Sequence, residues 1–121
     1  MKSRLAVGGD FEQTALELLL ATKRARLIEK NFCGKTGEID LIIEETLEDG
    51  VVELVFIEVR SKKSGALVQA LESVNRKKQI RIIRTAEIFL SRYRGPATGL
   101  RFDVVAFDGK QCVHCKNAFS L

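Results

Sequence analysis

Gly37-Glu38-Ile39-Asp40-Leu41-Ile42-Ile43, the turn dipeptide Asp49-Gly50, and Val55-Phe56-Ile57-Glu58-Val59-Arg60 together decide how this chain is read. The two apolar runs are rich in Ile, Val and Phe, as strands of a buried sheet are. Asp-Gly between them is a strong hairpin signal, so the runs are expected to pair antiparallel. Two-residue alternation places Glu38, Asp40 and Ile42 on one face, and Phe56, Glu58 and Arg60 on one face of the partner. Asp40 and Glu58 then stand near each other if the register allows, which sequence alone does not fix. A carboxylate in such a setting costs several kcal/mol unless a cation or hydrogen bonds compensate it, on the order given for buried ions. An ordinary ion pair at the sheet edge would explain one such acid, and a third changes the reading. Glu12 lies in the first turn of an N-terminal helix, on the line of Leu16, Leu19 and Leu20. Three acids converging on one point suit a hard divalent cation, Mg²⁺ or Mn²⁺.

Working outward, residues 10–23 read as a helix. Asp10 at the N-cap and Gln13 three places on form a capping box, and Phe11, Ala15, Leu18 and Leu19 form the core-facing stripe. Arg26–Asn31 is a short strand, Glu38–Glu45 and Val51–Arg60 are the central pair, and Gly65 opens a loop. A second helix is expected from about Val74 to Tyr93, with Ile82, Ile83, Ala86, Phe89, Leu90 and Tyr93 on its apolar side, stopped by Gly95-Pro96. Leu100–Phe107 and Cys112–Phe119 are two further strands joined at Asp108-Gly109. Strands on both sides of a helix imply an α/β fold with a mixed sheet flanked by helices.

The chain has 121 residues, 20 basic and 16 acidic, for a net charge of +4. That length predicts one domain, residues 1–121, able to fold without a disulfide or metal staple. No apolar run is long enough for a membrane span, so no membrane partner is expected. The first nine residues do not read as a signal peptide. With three Cys, that predicts a reducing, cytoplasmic location.

The modest net charge conceals a sorted distribution. Residues 1–59 carry 7 basic and 12 acidic side chains, residues 60–94 carry 10 and 2, and residues 95–121 carry 3 and 2. The basic segment includes Arg76, Lys77, Lys78, Arg81, Arg84, Arg92 and Arg94 along the second helix, with Lys77, Arg81 and Arg84 on one face. Alone, this marks a solvated helix face. Beside a carboxylate metal cluster it suits a phosphate backbone, and the few aromatics favour duplex or branched DNA over stacked single strands. Most acids of the first segment, such as Glu44, Glu45, Glu48 and Asp49, read as solvated. Cys112-Val113-His114-Cys115 has only Cys33 as a further sulfur, and in a strand Cys112 and Cys115 point to opposite faces, so these read as ordinary strand residues more than a zinc site.

The segments Gly8–Leu20, Gly37–Ile42, Phe56–Arg60, Lys77-Lys78-Gln79, Arg101-Phe102-Asp103-Val104 and Asn117-Ala118-Phe119, in this order, resemble the bacterial YraN family. The resemblance covers almost the whole chain. It implies a restriction-endonuclease-like fold of the PD-(D/E)xK type, close to archaeal Holliday junction resolvases. By that pattern Asp40 is the first acid, Glu58 the second, Arg60 occupies the basic position, and Glu12 is the added helix acid. Asp40, Glu58 and the Val59 carbonyl would hold Mg²⁺ or Mn²⁺, and Glu12 would orient the attacking water or complete a second metal position. The superfamily pattern has Lys where this chain has Arg60, and Pro where it has Ile39. A guanidinium stays charged and cannot act as a base, but it can clamp a phosphate, and Lys62 two residues on is a substitute ammonium. Lys62, Lys77, Lys78, Arg81 and Arg84 are the expected nucleic-acid contacts. The resemblance thus implies a metal-dependent endonuclease acting on DNA, with a homodimer by analogy to resolvases. The alternatives are a nucleic-acid-binding module that keeps the fold with little cleavage, and a protein-binding role for the sorted charge.

Overall fold

The computed structural model describes residues 11–62, 66–109 and 111–121. The expected cap at Asp10 and the loop at Gly65 lie outside those residues. Helix α1 (Phe11–Leu20) leads into strands β1 (Ala25–Gly34), β2 (Gly37–Thr46) and β3 (Val52–Ser61). Helices α2 (Leu67–Glu72) and α3 (Arg76–Leu90) follow, then strands β4 (Gly99–Phe107) and β5 (Cys112–Phe119).

The strands form one sheet in the order β1-β2-β3-β4-β5. All neighbours are antiparallel except β3 and β4, which are parallel. A parallel pair cannot be closed by a tight turn, and α2 and α3 make the crossover. The fold class is therefore α/β, a mixed sheet flanked by helices. Among the described residues no helix is long and apolar enough to cross a membrane.

Each face of the sheet buries its own core. Phe32, Ile42, Leu54, Phe56, Phe102 and Val104 pack against Ile82, Ala86 and Phe89 of α3. Leu41, Ile43, Val55, Ile57, Val105 and Phe107 pack against Ala15 and Leu16 of α1. Aromatic contacts tie the first layer across the sheet: Phe56 stacks on Phe102 at 5.4 Å and Phe102 on Phe119 at 5.0 Å, while Phe32 and Phe56 meet the edge of Phe89. Fully burying one such ring is worth about 2–3 kcal/mol.

Several local expectations are corrected. Leu18 is 53% exposed and lies off the core stripe, whereas Ala15 is buried and Phe11 and Leu19 pack on the core as expected, joined by Thr14 and Leu16. Strand β1 is longer than Arg26–Asn31, because it follows β2 to the tight Gly34–Gly37 pairing. The second helix starts at Arg76, where the Asn75 side chain accepts the Lys78 N–H at 3.0 Å, and a separate short α2 precedes it. Such an N-cap satisfies one of the orphan donors of the first turn and so fixes where the helix begins. Strand β2 does not keep strict alternation. Ile39 and Ile42, three residues apart, both enter the α3-side core, whereas Leu41 and Ile43 enter the α1-side core. The phase slips by one residue between them, and Asp40 sits at the slip.

Candidate functional site

That slip determines which acids meet. Glu38 and Asp40 do not share a face with Ile42; they gather with Glu12 of α1, and the three carboxylates have oxygens within 4.8 Å of one another. The Asn31 side-chain amide, on a residue with φ of 54°, lies 2.9 Å from Glu12 Oε1 and 3.0 Å from Glu38 Oε2 when turned to donate to both. Burial first, then the Asp40 carboxylate, raise the Glu12 pKa above its ordinary value, with Lys30 opposing. Asp40 is held from the other side, its Oδ2 accepting the Val59 N–H at 2.8 Å. A donor set made wholly of carboxylate oxygens suits a hard cation.

Glu58 stands next to this group. The recorded β2–β3 pairing ends at Leu41 with Ile57, and beyond it the Asp40 charge still acts on Glu58. Glu58 is only 5% exposed. Its Oε2 lies 3.6 Å from Arg60 Nε and 3.6 Å from Lys78 Nζ, too far for firm hydrogen bonds. Burial and then the Asp40 charge push its pKa up to about 7, while Lys78 and Arg60 pull it down. Arg60 is loosely held: its Nε is buried with no hydrogen-bond partner among the described residues, and NH2 reaches the Ser73 carbonyl at 3.5 Å.

A cavity of about 440 Å³ opens between the β1–β2 turn and α3. Lys35, Thr36, Gly37 and Glu38 line one wall, and Lys78, Arg81, Ile82 and Arg84 line the other. Gly37 has φ of 145°, which a side chain would strain, and Thr36 Oγ1 meets Thr85 Oγ1 at 2.6 Å to fasten the turn to the helix. The groove thus has four cationic side chains and touches the carboxylate cluster through Glu38. Lys62 and Lys77 are exposed and line neither wall.

The sequence reading did not place Glu38 in the cluster, although its two-residue spacing from Asp40 was the available signal. Lys35 had no signal beyond its charge. Conversely, two acids read as solvated are engaged. Buried Glu44 bonds Arg26 at 2.9 Å and accepts from the Tyr93 hydroxyl at 2.5 Å, and Glu45 pairs with Arg101 at 2.6 Å. Arg101 also reaches Glu53 and Asp103. Asp103, fully buried, further bonds His114 Nε2 at 2.7 Å and accepts the Asn117 N–H at 2.9 Å. The cysteines are all free, and the metal-competent cluster among the described residues contains none of them.

Residues 11–107 match the model of uncharacterised protein family UPF0102. The chain is 40% identical over 119 residues to a UPF0102 protein of Burkholderia thailandensis, covering 97% of this chain and 77% of that one. It is 41% identical over 106 residues to a UPF0102 protein of Vibrio vulnificus, covering 86% and 82%. It is also 39% identical over 114 residues to the UPF0102 protein YraN of Salmonella typhi, covering 93% and 83%. Among solved structures, Pyrococcus furiosus SfsA in complex with Ca²⁺ aligns with a TM-score of 0.28 at 12% identity, over 88% of this chain and 60% of that one. The chain spans less than two thirds of the SfsA chain, and so distant a likeness carries no argument. The chain belongs to the UPF0102 family, that of YraN.

Proposed function

We propose that this protein is a metal-dependent endonuclease-like hydrolase acting on DNA, with structured or branched DNA as the favoured class. The observation that carries the reading is the convergence of the Glu12, Glu38 and Asp40 carboxylates beside a groove lined by Lys35, Lys78, Arg81 and Arg84. Asp40 and Glu58, with the Val59 carbonyl, are the proposed ligands of Mg²⁺ or Mn²⁺, and Glu38 is added to them. Such an ion, when bound, would polarise a scissile phosphate and lower the pKa of a bound water. Glu12 orients the attacking water from α1, and Arg60 clamps a phosphate oxygen. Lys35, Arg81 and Arg84 take the flanking phosphates, with Lys62 and Lys77 as outer contacts. Phosphate contacts of this kind position the backbone without reading sequence, which favours recognition by shape.

Arg60, in the place of the pattern's lysine, favours one second reading: a nucleic-acid-binding module with little cleavage. A panel of linear, flapped and four-way DNA, assayed with Mg²⁺ and with Mn²⁺, separates the two. Cleavage lost in Asp40→Ala supports the hydrolase. Binding that weakens steeply with salt but yields no cut strands supports the module, and salt-insensitive binding overturns both.

A further inference from the structure

Two cations approach the same oxygen of Glu58, and they are not equivalent. Arg60 Nε and Lys78 Nζ each lie 3.6 Å from Oε2. Arg60 projects from β3, extends its guanidinium toward the Ser73 carbonyl, and is absent from the groove walls. Lys78 projects from the first turn of α3 and does line the groove. It is the groove cation that also pairs with the buried acid. Its position is set by the backbone, because its own N–H is the donor to the Asn75 cap at 3.0 Å. An ammonium is a compact charge with three donors, so it can serve a carboxylate and a phosphate oxygen together.

We infer that Lys78 supplies the ammonium at the scissile phosphate, the place that strand position 60 fills with arginine turned toward Ser73. The inference rests on the phosphodiester-hydrolase reading. In that reaction a water oxygen forms a bond to phosphorus as an ester P–O bond breaks. The water's proton leaves to solvent, and the departing ester oxygen takes one from solvent. Negative charge gathers on the phosphoryl oxygens, and the fixed charge of Lys78 faces it without transferring a proton. Arg81 and Arg84, further along α3, then hold neighbouring phosphates, which makes Lys78 a catalytic residue and those two binding residues.

The experiment compares wild type, Lys78→Met, Arg60→Lys and the Arg60→Lys/Lys78→Met double variant. Cleavage kinetics are measured in Mn²⁺, DNA affinity by fluorescence anisotropy in Ca²⁺, and folding by circular dichroism. Lys78→Met is expected to lower kcat about 100-fold with affinity changed by less than about 3-fold, the size seen on removing one transition-state donor. The double variant is expected to recover at least about ten-fold of that loss, because a shorter, straighter ammonium returns to the same carboxylate. If Lys78→Met does not fold, Lys78→Gln is read in its place. Weakened affinity with unchanged kcat overturns the inference, leaving Lys78 as one more binding cation. No recovery in the double variant also overturns it. Wild-type protein without Asp40-dependent cleavage overturns the hydrolase reading itself, and the inference with it.

Discussion

At the scale of single residues, two buried carboxylates stand in opposite circumstances. Glu58 is pushed up to about 7 by burial and by Asp40, with Lys78 and Arg60 too distant to reverse it. A raised native pKa means that the folded state binds the proton more tightly than the unfolded chain. Its contribution to stability is fully present below the ordinary value of 4.5 and lost as pH rises through about 7. Glu58→Gln is therefore expected to flatten the stability profile between those pH values in urea titrations run in EDTA, and a slope as steep as wild type would refute the assignment. Metal binding should release a proton near pH 7 for the same reason, measurable by calorimetry in buffers of different ionisation enthalpy. Asp103 is the contrasting case. Burial pushes its carboxyl up, but His114, Arg101 and the Asn117 N–H together outweigh burial and hold it below the ordinary 3.8. Its stabilisation is present above 3.8 and fades as the pH falls below it. Asp103→Ala leaves Arg101 without its buried partner and the Asn117 N–H without an acceptor, and should cost about 3–5 kcal/mol in urea unfolding.

At the scale of elements, α3 supplies one wall of the groove. Its start is fixed by Asn75, its inner side by Ile82, Ala86 and Phe89, and its outer side presents Lys78, Arg81 and Arg84 to the groove. Removing the cap with Asn75→Ala should cost about 1 kcal/mol of stability, while Asn75→Asp retains it. Because Lys78 is the capped residue, Asn75→Ala should also lower cleavage more than a distant substitution of equal stability cost. Equal losses in both would show that the cap does not position Lys78. The opposing turn is as constrained, since Gly37 holds a positive φ and Thr36 bonds Thr85 across the gap. One groove wall thus depends on a helix cap, the other on a turn glycine.

At the scale of the whole molecule, the Glu12, Glu38 and Asp40 cluster from the first half of the chain borders, through Glu38, the groove that Lys78, Arg81 and Arg84 of the second half line. If Lys35, Arg81 and Arg84 each neutralise a DNA phosphate, the logarithm of the binding constant should fall with that of salt at a slope of about −3. Arg81→Ala with Arg84→Ala should reduce it by about 2, measured by anisotropy across a salt series in Ca²⁺. An unchanged slope would place the DNA elsewhere.

The strand order and the two longer helices were legible in the sequence because apolar periods, Asp-Gly turns and Gly95-Pro96 act locally, whereas the short helix Leu67–Glu72 was not. The acids Asp40 and Glu58 set in apolar strands were equally visible, but Glu44 read as solvated and Asp103 drew no notice as an acid. Tertiary structure separated them. Glu44 and Asp103 are satisfied by Arg26, Tyr93, Arg101, His114 and a backbone N–H, whereas Glu12, Glu38 and Asp40 gather with oxygens within 4.8 Å of one another and Glu58 meets two cations at 3.6 Å. The one-residue slip in β2 that turns Glu38 toward Glu12 was also beyond the sequence. Alternation is a local rule, and here the packing of Ile39 and Ile42 under α3 overrides it.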